Sequence, residues 1–291
     1  MVQQLDIRPS PLAGRWYPAH PDRLAQSVDR YIHNAQLPPL DGEVVGVIAP
    51  HAGHQYSGPV AGYAFAALRG ATPSLVAIVS PMHRPFYHTI VVSGHQAYET
   101  PLGIVEIHQE AVNELVHHAD VEYNITISSV RYDDEHSLEI EIPFLQRVLP
   151  SGFKIIPLMV RDLSPSILQK LGKALGAVVG RWGGILVAST DLSHFYPQNI
   201  AQQFDEEILR RMERFDPLYF LQAEEEGKGF ACGRAAVATV MWAAKELGAN
   251  RVQVLHYATS GDVTGDYLQV VGYGAAVILR QPTTTGELAE Q

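Results

Sequence analysis

Short apolar runs rich in β-branched residues recur along the chain, each bounded by glycine, proline or polar residues. This pattern is typical of buried strands rather than helices. Most of the runs lack the alternation of apolar and polar residues that marks a sheet open to water, which predicts a sheet covered on both faces. The clearest predicted strands are Val44–Ala49, Leu75–Ser80, Phe153–Val160, Ile185–Ser189, Val252–His256 and Leu268–Tyr273.

Helical patterns lie between these predicted strands. Apolar residues recur four apart in Pro21–Asn34, and the Ser164–Pro165 pair is typical of the start of a helix. The alternation predicts one α/β domain over residues 1–280, with a central mostly parallel or mixed sheet flanked by helices, and a flexible tail over 281–291. Further predicted helices are 166–182, Gln203–Phe215, Ala235–Leu247 and Ser137–Leu149, the last confined by Pro143 to its far side.

Composition excludes several classes of protein. The net charge is -10 and no segment clusters lysine and arginine, which argues against a nucleic-acid or anionic-membrane surface. Cys232 is the one cysteine, so no intrachain disulfide is possible and a cytoplasmic location is expected. No stretch reaches the roughly 18 apolar residues that a membrane span needs, and no glycine-rich phosphate-binding loop is present.

Histidines follow the predicted strands. His51 and His54 come after the first strand, His83 after the second, His194 after the Ile185–Ser189 strand, and the Val252 strand ends on His256. Ligands of open α/β sheets bind beyond the carboxyl ends of the strands, so these imidazoles are expected to converge there. A single histidine at a strand end is often only a hydrogen-bonded structural residue, and the hypothesis therefore depends on their convergence. The remaining histidines considered, expected to be solvated, are His20, His33, His95, His108, His117 and His118.

Two further segments add candidate groups. The segment Asp133–Ser137 places three carboxylates beside His136, although acidic residues could equally cap the helix that follows. Cys232 comes just before a predicted helix and two residues before Arg234, a position that favours the thiolate, although a buried cysteine is often only a small apolar residue. Two imidazoles and a thiolate would suit Zn(II), and two imidazoles and a carboxylate would suit Fe(II). Spacing alone does not choose between them.

Seven motifs in a fixed order resemble the Memo-like protein family over nearly the whole chain. None of the motifs is diagnostic alone, but their order is specific. They are AGRWYP near the start, IAPHAGHQYSG at 48–58, SPMH at 80–83, YETPLG at 98–103, DDEHSLEIEIPFLQ at 133–146, STDLSH at 189–194 and ACGR at 231–234.

The resemblance implies a fold similar to class III extradiol ring-cleaving dioxygenases, with a metal site made of His51, His83 and Cys232. The expected ion is a divalent transition metal, Fe(II) first, with Cu or Zn as alternatives. The dioxygenases have a glutamate where this chain has Cys232, a departure that argues against ordinary ring cleavage. His194 matches the position of an acid/base histidine, and Asp191 and His136 would line the same pocket.

The function indicated is a metal-dependent oxidoreductase acting on an unknown small molecule or peptide. One alternative is a Zn hydrolase that uses the same pocket. The other is a binding protein without catalysis, in which Arg84 and Arg234 pair with a phosphate or carboxylate. The resemblance also implies radical-SAM and AMMECR-type proteins as pathway partners.

Overall fold

Twelve strands form two sheets within residues 5–84, 86–161 and 163–282, the part of the chain that the computed structural model describes. Three of them form a small sheet, and the other nine form the central one. The strands are β1 (Ile7–Arg8), β2 (Glu43–Ala49), β3 (Leu75–Pro81), β4 (Ile90–Ser93), β5 (Ala97–Thr100), β6 (Gly103–Glu106), β7 (Ser128–Val130), β8 (Lys154–Val160), β9 (Ile185–Ser189), β10 (His194–Tyr196), β11 (Arg251–Thr259) and β12 (Val270–Arg280).

The central sheet is parallel in its middle and antiparallel towards its edges. Its order is β10-β12-β2-β9-β3-β8-β4-β7, and β11 pairs with β12. The strands β2, β9, β3 and β8 run parallel, with Val47 opposite Val187 and Ile78 opposite Pro157, whereas β12 and β4 run antiparallel to their inner neighbours. All seven residues of β3 are buried, as a strand covered on both faces requires.

Helices cover this sheet. They are α1 (Pro21–Asn34), α2 (His54–Ala66), α3 (Gln109–Tyr123), α4 (Ile142–Val148), α5 (Pro165–Arg181), α6 (Gln198–Glu213), α7 (Pro217–Glu225), α8 (Arg234–Glu246) and α9 (Gly261–Thr264), with a 3-10 turn at Glu139–Glu141. One packed group (α1, α2 and α4) contacts β2, β11 and β12 through α2, and another (α3, α5, α7 and α8) contacts β3 and β9 through α8. Helix α6 contacts β10, β11 and β12. The α/β class predicted from sequence is therefore confirmed.

The last two strands are longer than predicted. The predicted last strand ends at Tyr273, where Gly272 and Gly274 interrupt the apolar run. The observed strand β12 continues to Arg280 because its apolar residues pack in the core. Its partner β11 continues to Thr259, so His256 lies inside an antiparallel strand opposite Ala275. The expectation that His256 ends a strand and points to the site is wrong, and its ring stacks on Tyr63 at 4.2 Å.

Two further sequence expectations concern the C-terminal tail and membrane-spanning helices. The predicted tail at 281–291 lies, from residue 283 onward, outside the described residues and stays a prediction. Among the helices of the described ranges, none has both the length and the apolar character that a bilayer crossing requires.

Candidate metal centre

The carboxyl ends of three neighbouring parallel strands supply the core of the candidate centre. β2, β9 and β3 are adjacent, and His51, Asp191 and His83 each follow one of them by two residues. A fourth segment, the loop between β7 and the 3-10 turn, brings in His136. Parallel strands end at one edge of a sheet, so residues far apart in sequence meet there.

His51 is held at its backbone and at one ring nitrogen. Its N–H donates to Asp191 Oδ1 at 2.7 Å, and its Nδ1 lies 2.9 Å from Ser189 Oγ. The side chain is 1% exposed, and burial lowers its pKa well below the usual value, with the charges of His136 and His83 acting in the same direction. His51 is therefore a neutral imidazole, the form that binds metal.

Glu135 holds both other imidazoles. The backbone and the Nδ1–H of His83 donate to its two oxygens at 2.5 and 2.9 Å, and the backbone N–H groups of His136 and Ser137 donate to Oε1. The Nδ1 of the His136 ring lies 3.3 Å from the same oxygen. Burial alone would raise the pKa of Glu135, but the hydrogen bond and charge of His83, with the charge of His136, outweigh it and hold that pKa well below the usual range. Glu135 is thus a buried carboxylate that fixes the orientation of His83.

The three imidazoles form a cluster that could hold a metal ion. One nitrogen from each of His51, His83 and His136 lies within 4.8 Å of the others. The ring centroids are 4.7–5.4 Å apart, and Trp16 stacks on the far side of His136 at 4.3 Å. The Nδ1 atoms of His51 and His83 face oxygen partners, as in metal-ligating histidines, which leaves Nε2 as the atom that could bind a metal. The donor set fits a transition metal.

Cys232 lies beside this cluster. Its Sγ is 3.1 Å from His51 Nε2, and it accepts a hydrogen bond from the Asp191 N–H at 3.3 Å. A methyl group on the next residue, Gly233, would meet the Ser189 carbonyl at 2.2 Å. Glycine is therefore required there for the Cys232 loop to pack against the end of β9, which sets the position of the thiol.

The expectation that helix α8 and Arg234 favour the thiolate is wrong for the protein without a bound cation. Burial, followed by the charge of Asp191, raises the pKa of Cys232. Arg234 pairs instead with Glu224 at 2.5 Å. A cation between Sγ and the imidazoles would supply the positive charge that stabilises the thiolate.

Asp191 and His194, the predicted acid/base residues, lie at the border of the cluster. Burial raises the pKa of Asp191 to about 7, although its Oδ1 accepts the backbone N–H of His51. The Nδ1–H of His194 donates to the Leu192 carbonyl at 2.7 Å, and burial, with a smaller contribution from the charge of His83, lowers its pKa. His194 also lines a cavity of about 390 Å³ together with Phe230.

Two histidines lie away from this cluster, in the core. The Nε2–H of His54, at the start of α2, donates to the Ile140 carbonyl at 3.0 Å, and its ring packs against Phe144. His95 was expected to be solvated, which is wrong: it is 1% exposed and its ring pairs with Asp6 at 3.0 Å. Its environment comes from a distant N-terminal segment, which sequence patterns do not reveal.

A buried arginine network supports the loop that carries His136, and sequence reasoning missed it. Arg8 donates to Asp133 at 2.9 Å and to Glu139 at 2.5 Å, and its guanidinium also donates to the Glu135 carbonyl at 3.0 Å. Glu139 in turn accepts from the Tyr17 hydroxyl at 2.6 Å. A single arginine carries no local sequence signal of burial, although the DDEH segment at 133–136 is visibly acidic.

The chain is similar to known proteins over nearly its whole length. A family model described as "Memo-like protein" matches residues 8–277. A protein named "MEMO1 family protein" from Nitrosopumilus maritimus is 35% identical over 274 residues, which cover 92% of this chain and 98% of that protein. A protein of the same name from Thermotoga maritima is 35% identical over 280 residues, again 92% of this chain and 98% of its own.

Proposed function

This chain belongs to the Memo-like protein family, and we propose that it is a metal-dependent oxidoreductase whose metal is bound by His51, His83 and Cys232. The substrate would be a small molecule or a peptide, and Fe(II) is the ion proposed first, with Cu and Zn as alternatives. When bound, Fe(II) or Cu would supply the one-electron chemistry of dioxygen that no protein side chain offers.

One observation supports this proposal above the others: the 3.1 Å contact between Cys232 Sγ and His51 Nε2, beside two further imidazoles. A soft thiolate next to imidazoles suits Fe, Cu or Zn and disfavours Mg or Ca, which prefer oxygen ligands. A cysteine that served only as a small apolar residue would have no reason to face the lone pair of an imidazole.

The remaining polar residues would orient groups and move protons. Asp191 holds the His51 backbone, and Glu135 holds His83 and His136. His194 has its Nδ1–H engaged by a carbonyl, so its Nε2 carries a lone pair that could accept a proton from a substrate in the adjoining cavity. One ring nitrogen of His136 lies within 4.8 Å of those of His51 and His83, so His136 is the alternative third ligand.

Cys232→Ser is expected to weaken metal binding strongly while the fold is retained. Serine has nearly the same shape, but its hydroxyl stays protonated and is a poor replacement for a soft thiolate. The measurement is chelator competition with Zn(II), together with the absorption of the Co(II) form, in which a thiolate ligand gives a charge-transfer band. That band should be present in the wild type and absent in the variant.

His136→Ala is the matched comparison for this experiment. If Cys232 is the third ligand, the alanine variant keeps the Co(II) charge-transfer band and most of its metal affinity. Loss of metal in His136→Ala with full affinity in Cys232→Ser would instead assign the third position to His136 and contradict the proposed ligand set.

His194→Ala is expected to leave most of the metal bound but to lower substrate-dependent oxygen uptake about 10²–10⁴-fold, the usual contribution of an acid/base group. Metal content and oxygen consumption are measured on the same preparation. If metal is lost as completely as in His51→Ala, His194 is a ligand; if catalysis survives, its acid/base role is wrong.

A second candidate function is the recognition of a peptide or partner without catalysis. It is favoured by two exposed aromatic side chains that line the cavity beside His194, namely Tyr196 and Phe230, and by exposed Phe195, whose ring contacts that of His194. Phe195 also has a left-handed backbone conformation (φ 64°), which is costly for a bulky residue and is found most often at functional sites. Elemental analysis of protein purified without added metal, followed by oxygen-consumption assays, separates the two candidates.

A further inference from the structure

A buried carboxyl group lies behind His51 and takes no part in the functions described so far. Glu141, in the 3-10 turn before α4, is 0% exposed, and its Oε1 lies 2.6 Å from Ser189 Oγ. The same serine oxygen lies 2.9 Å from His51 Nδ1 and 2.6 Å from the Ser137 carbonyl oxygen. Cys232, His51, Ser189 and Glu141 thus form a continuous hydrogen-bonded chain that ends in the core.

The number of hydrogens in this chain decides which groups donate. Ser189 has one hydroxyl hydrogen and two lone pairs. The Ser137 carbonyl can only accept, so at 2.6 Å it takes that hydrogen. The two remaining neighbours of Ser189 Oγ, His51 Nδ1 and Glu141 Oε1, must then both donate. A donating Glu141 carries a proton, and a donating Nδ1 leaves His51 Nε2 with its lone pair towards Cys232.

An ionised Glu141 would not fit the same distances. Its Oε1 would compete with the Ser137 carbonyl for one hydrogen, and the oxygen that lost would face Ser189 Oγ at 2.6 Å with no hydrogen between them. The second oxygen, Oε2, is buried with no hydrogen-bond partner among the described residues, which is costly for a carboxylate and less so for the carbonyl oxygen of an acid. Burial raises the pKa of Glu141 well above its usual value and outweighs the opposite effect of the contact with Ser189, while the charge of Asp191 raises it further, in agreement with this assignment.

We propose that Glu141 is a positioning residue: a neutral carboxylic acid that donates to Ser189 Oγ and so holds His51 in the tautomer whose Nε2 can bind a cation. With Glu141 donating, the Ser189 hydrogen can point only to the Ser137 carbonyl. Without that donor, the hydroxyl can turn towards His51 Nδ1, which favours the tautomer with hydrogen on Nε2. The hydrogen assignment stands independently of the oxidoreductase proposal, and only its effect on metal affinity rests on the proposed metal site.

Two variants separate a neutral donor from a charged group. In Glu141→Gln the amide N–H donates to Ser189 as a protonated acid would, whereas Glu141→Leu removes the donor. We expect the Zn(II) affinity of Glu141→Gln to stay within about threefold of the wild type and that of Glu141→Leu to fall about 10–100-fold, the usual effect of losing a group that orients a metal ligand. Equal losses in both variants would mean that a negative charge is needed and would overturn the proposal.

Spectroscopy of the metal-free full chain tests the assignment without any activity. Infrared spectra at neutral pH should show a protonated carboxylic-acid band that shifts with ¹³C-glutamate labelling and disappears in Glu141→Gln. It should persist in Glu206→Gln, which removes an exposed carboxylate of the same kind. Imidazole ¹⁵N shifts should place the His51 hydrogen on Nδ1. The absence of the band, or a hydrogen on Nε2, would overturn the proposal, whereas a failure of the oxidoreductase proposal would change neither spectrum.

Discussion

Replacing Arg8 with methionine is expected to lower the free energy of unfolding by about 3–5 kcal/mol, the usual cost of removing one partner from a buried ion pair. Methionine keeps much of the volume but leaves Glu139, which is 0% exposed, without its cation. Asp133 loses its partner in the same change. Chemical denaturation followed by circular dichroism measures the difference.

Arg147→Met is the matched control for this experiment. Arg147 makes a two-pronged ion pair with Asp29 at 2.7 Å, but both side chains are more than a third exposed. Exposed pairs contribute about 0–1 kcal/mol, so this variant should change stability little. If the Arg8 and Arg147 variants lose the same small amount, the buried network does not stabilise the loop that carries His136.

Glu135→Gln is expected to lower metal affinity about 100-fold, the upper end of the usual effect of a group that orients metal ligands, because it disturbs two imidazoles at once. The amide presents a donor where the carboxylate accepted, and it would face the N–H groups of His83. The fold should remain, since the change preserves shape. Zn(II) competition titration and the Co(II) spectrum provide the measurements.

Asp134→Asn makes the equivalent change one residue earlier. Asp134 is exposed and pairs only with exposed Arg84 among the described contacts. The loss of charge near the centre is similar, but no imidazole loses its partner. An affinity loss in Asp134→Asn as large as that in Glu135→Gln would show that net charge, rather than the hydrogen bonds of Glu135, determines binding.

Much of the fold could be predicted from local patterns. Pro21–Asn34 and Ile185–Ser189 were predicted with the bounds that the structure has, because a clear apolar periodicity or a clear apolar run ends at proline or polar residues there. Helix α2 was missed because Pro59 and two glycines lie inside it. Gly58 and Gly62 are needed there: a methyl group at either would meet Tyr31 at 2.5 or 2.4 Å, so they permit the close packing of α1 on α2.

The candidate centre could be predicted only in part. Histidines at the ends of neighbouring parallel strands are a pattern in the sequence, and His51 and His83 do lie together. The assignment of His51, His83 and Cys232 as the ligand set stays a prediction. The roles of Ser189 and Glu141 have no sequence pattern, since they depend on which side chains meet in the core. The protonation of Cys232 could not be read from its neighbours along the chain either, because burial outweighs the helix end.

The wide sequence separation of the groups at the centre has a consequence for the order of assembly. Arg8 and Glu139 are 131 residues apart, and His51 and Cys232 are 181 apart. Contacts of such long range form late, since the entropy of closing large loops is lost before any contact forms. During synthesis Arg8 cannot pair with Glu139 until more than a hundred further residues have been made, and Cys232 is made after all three histidines. The proposed ligand set is therefore complete only after residue 232 has been made: a product truncated before it would carry every imidazole of the cluster but not the thiol.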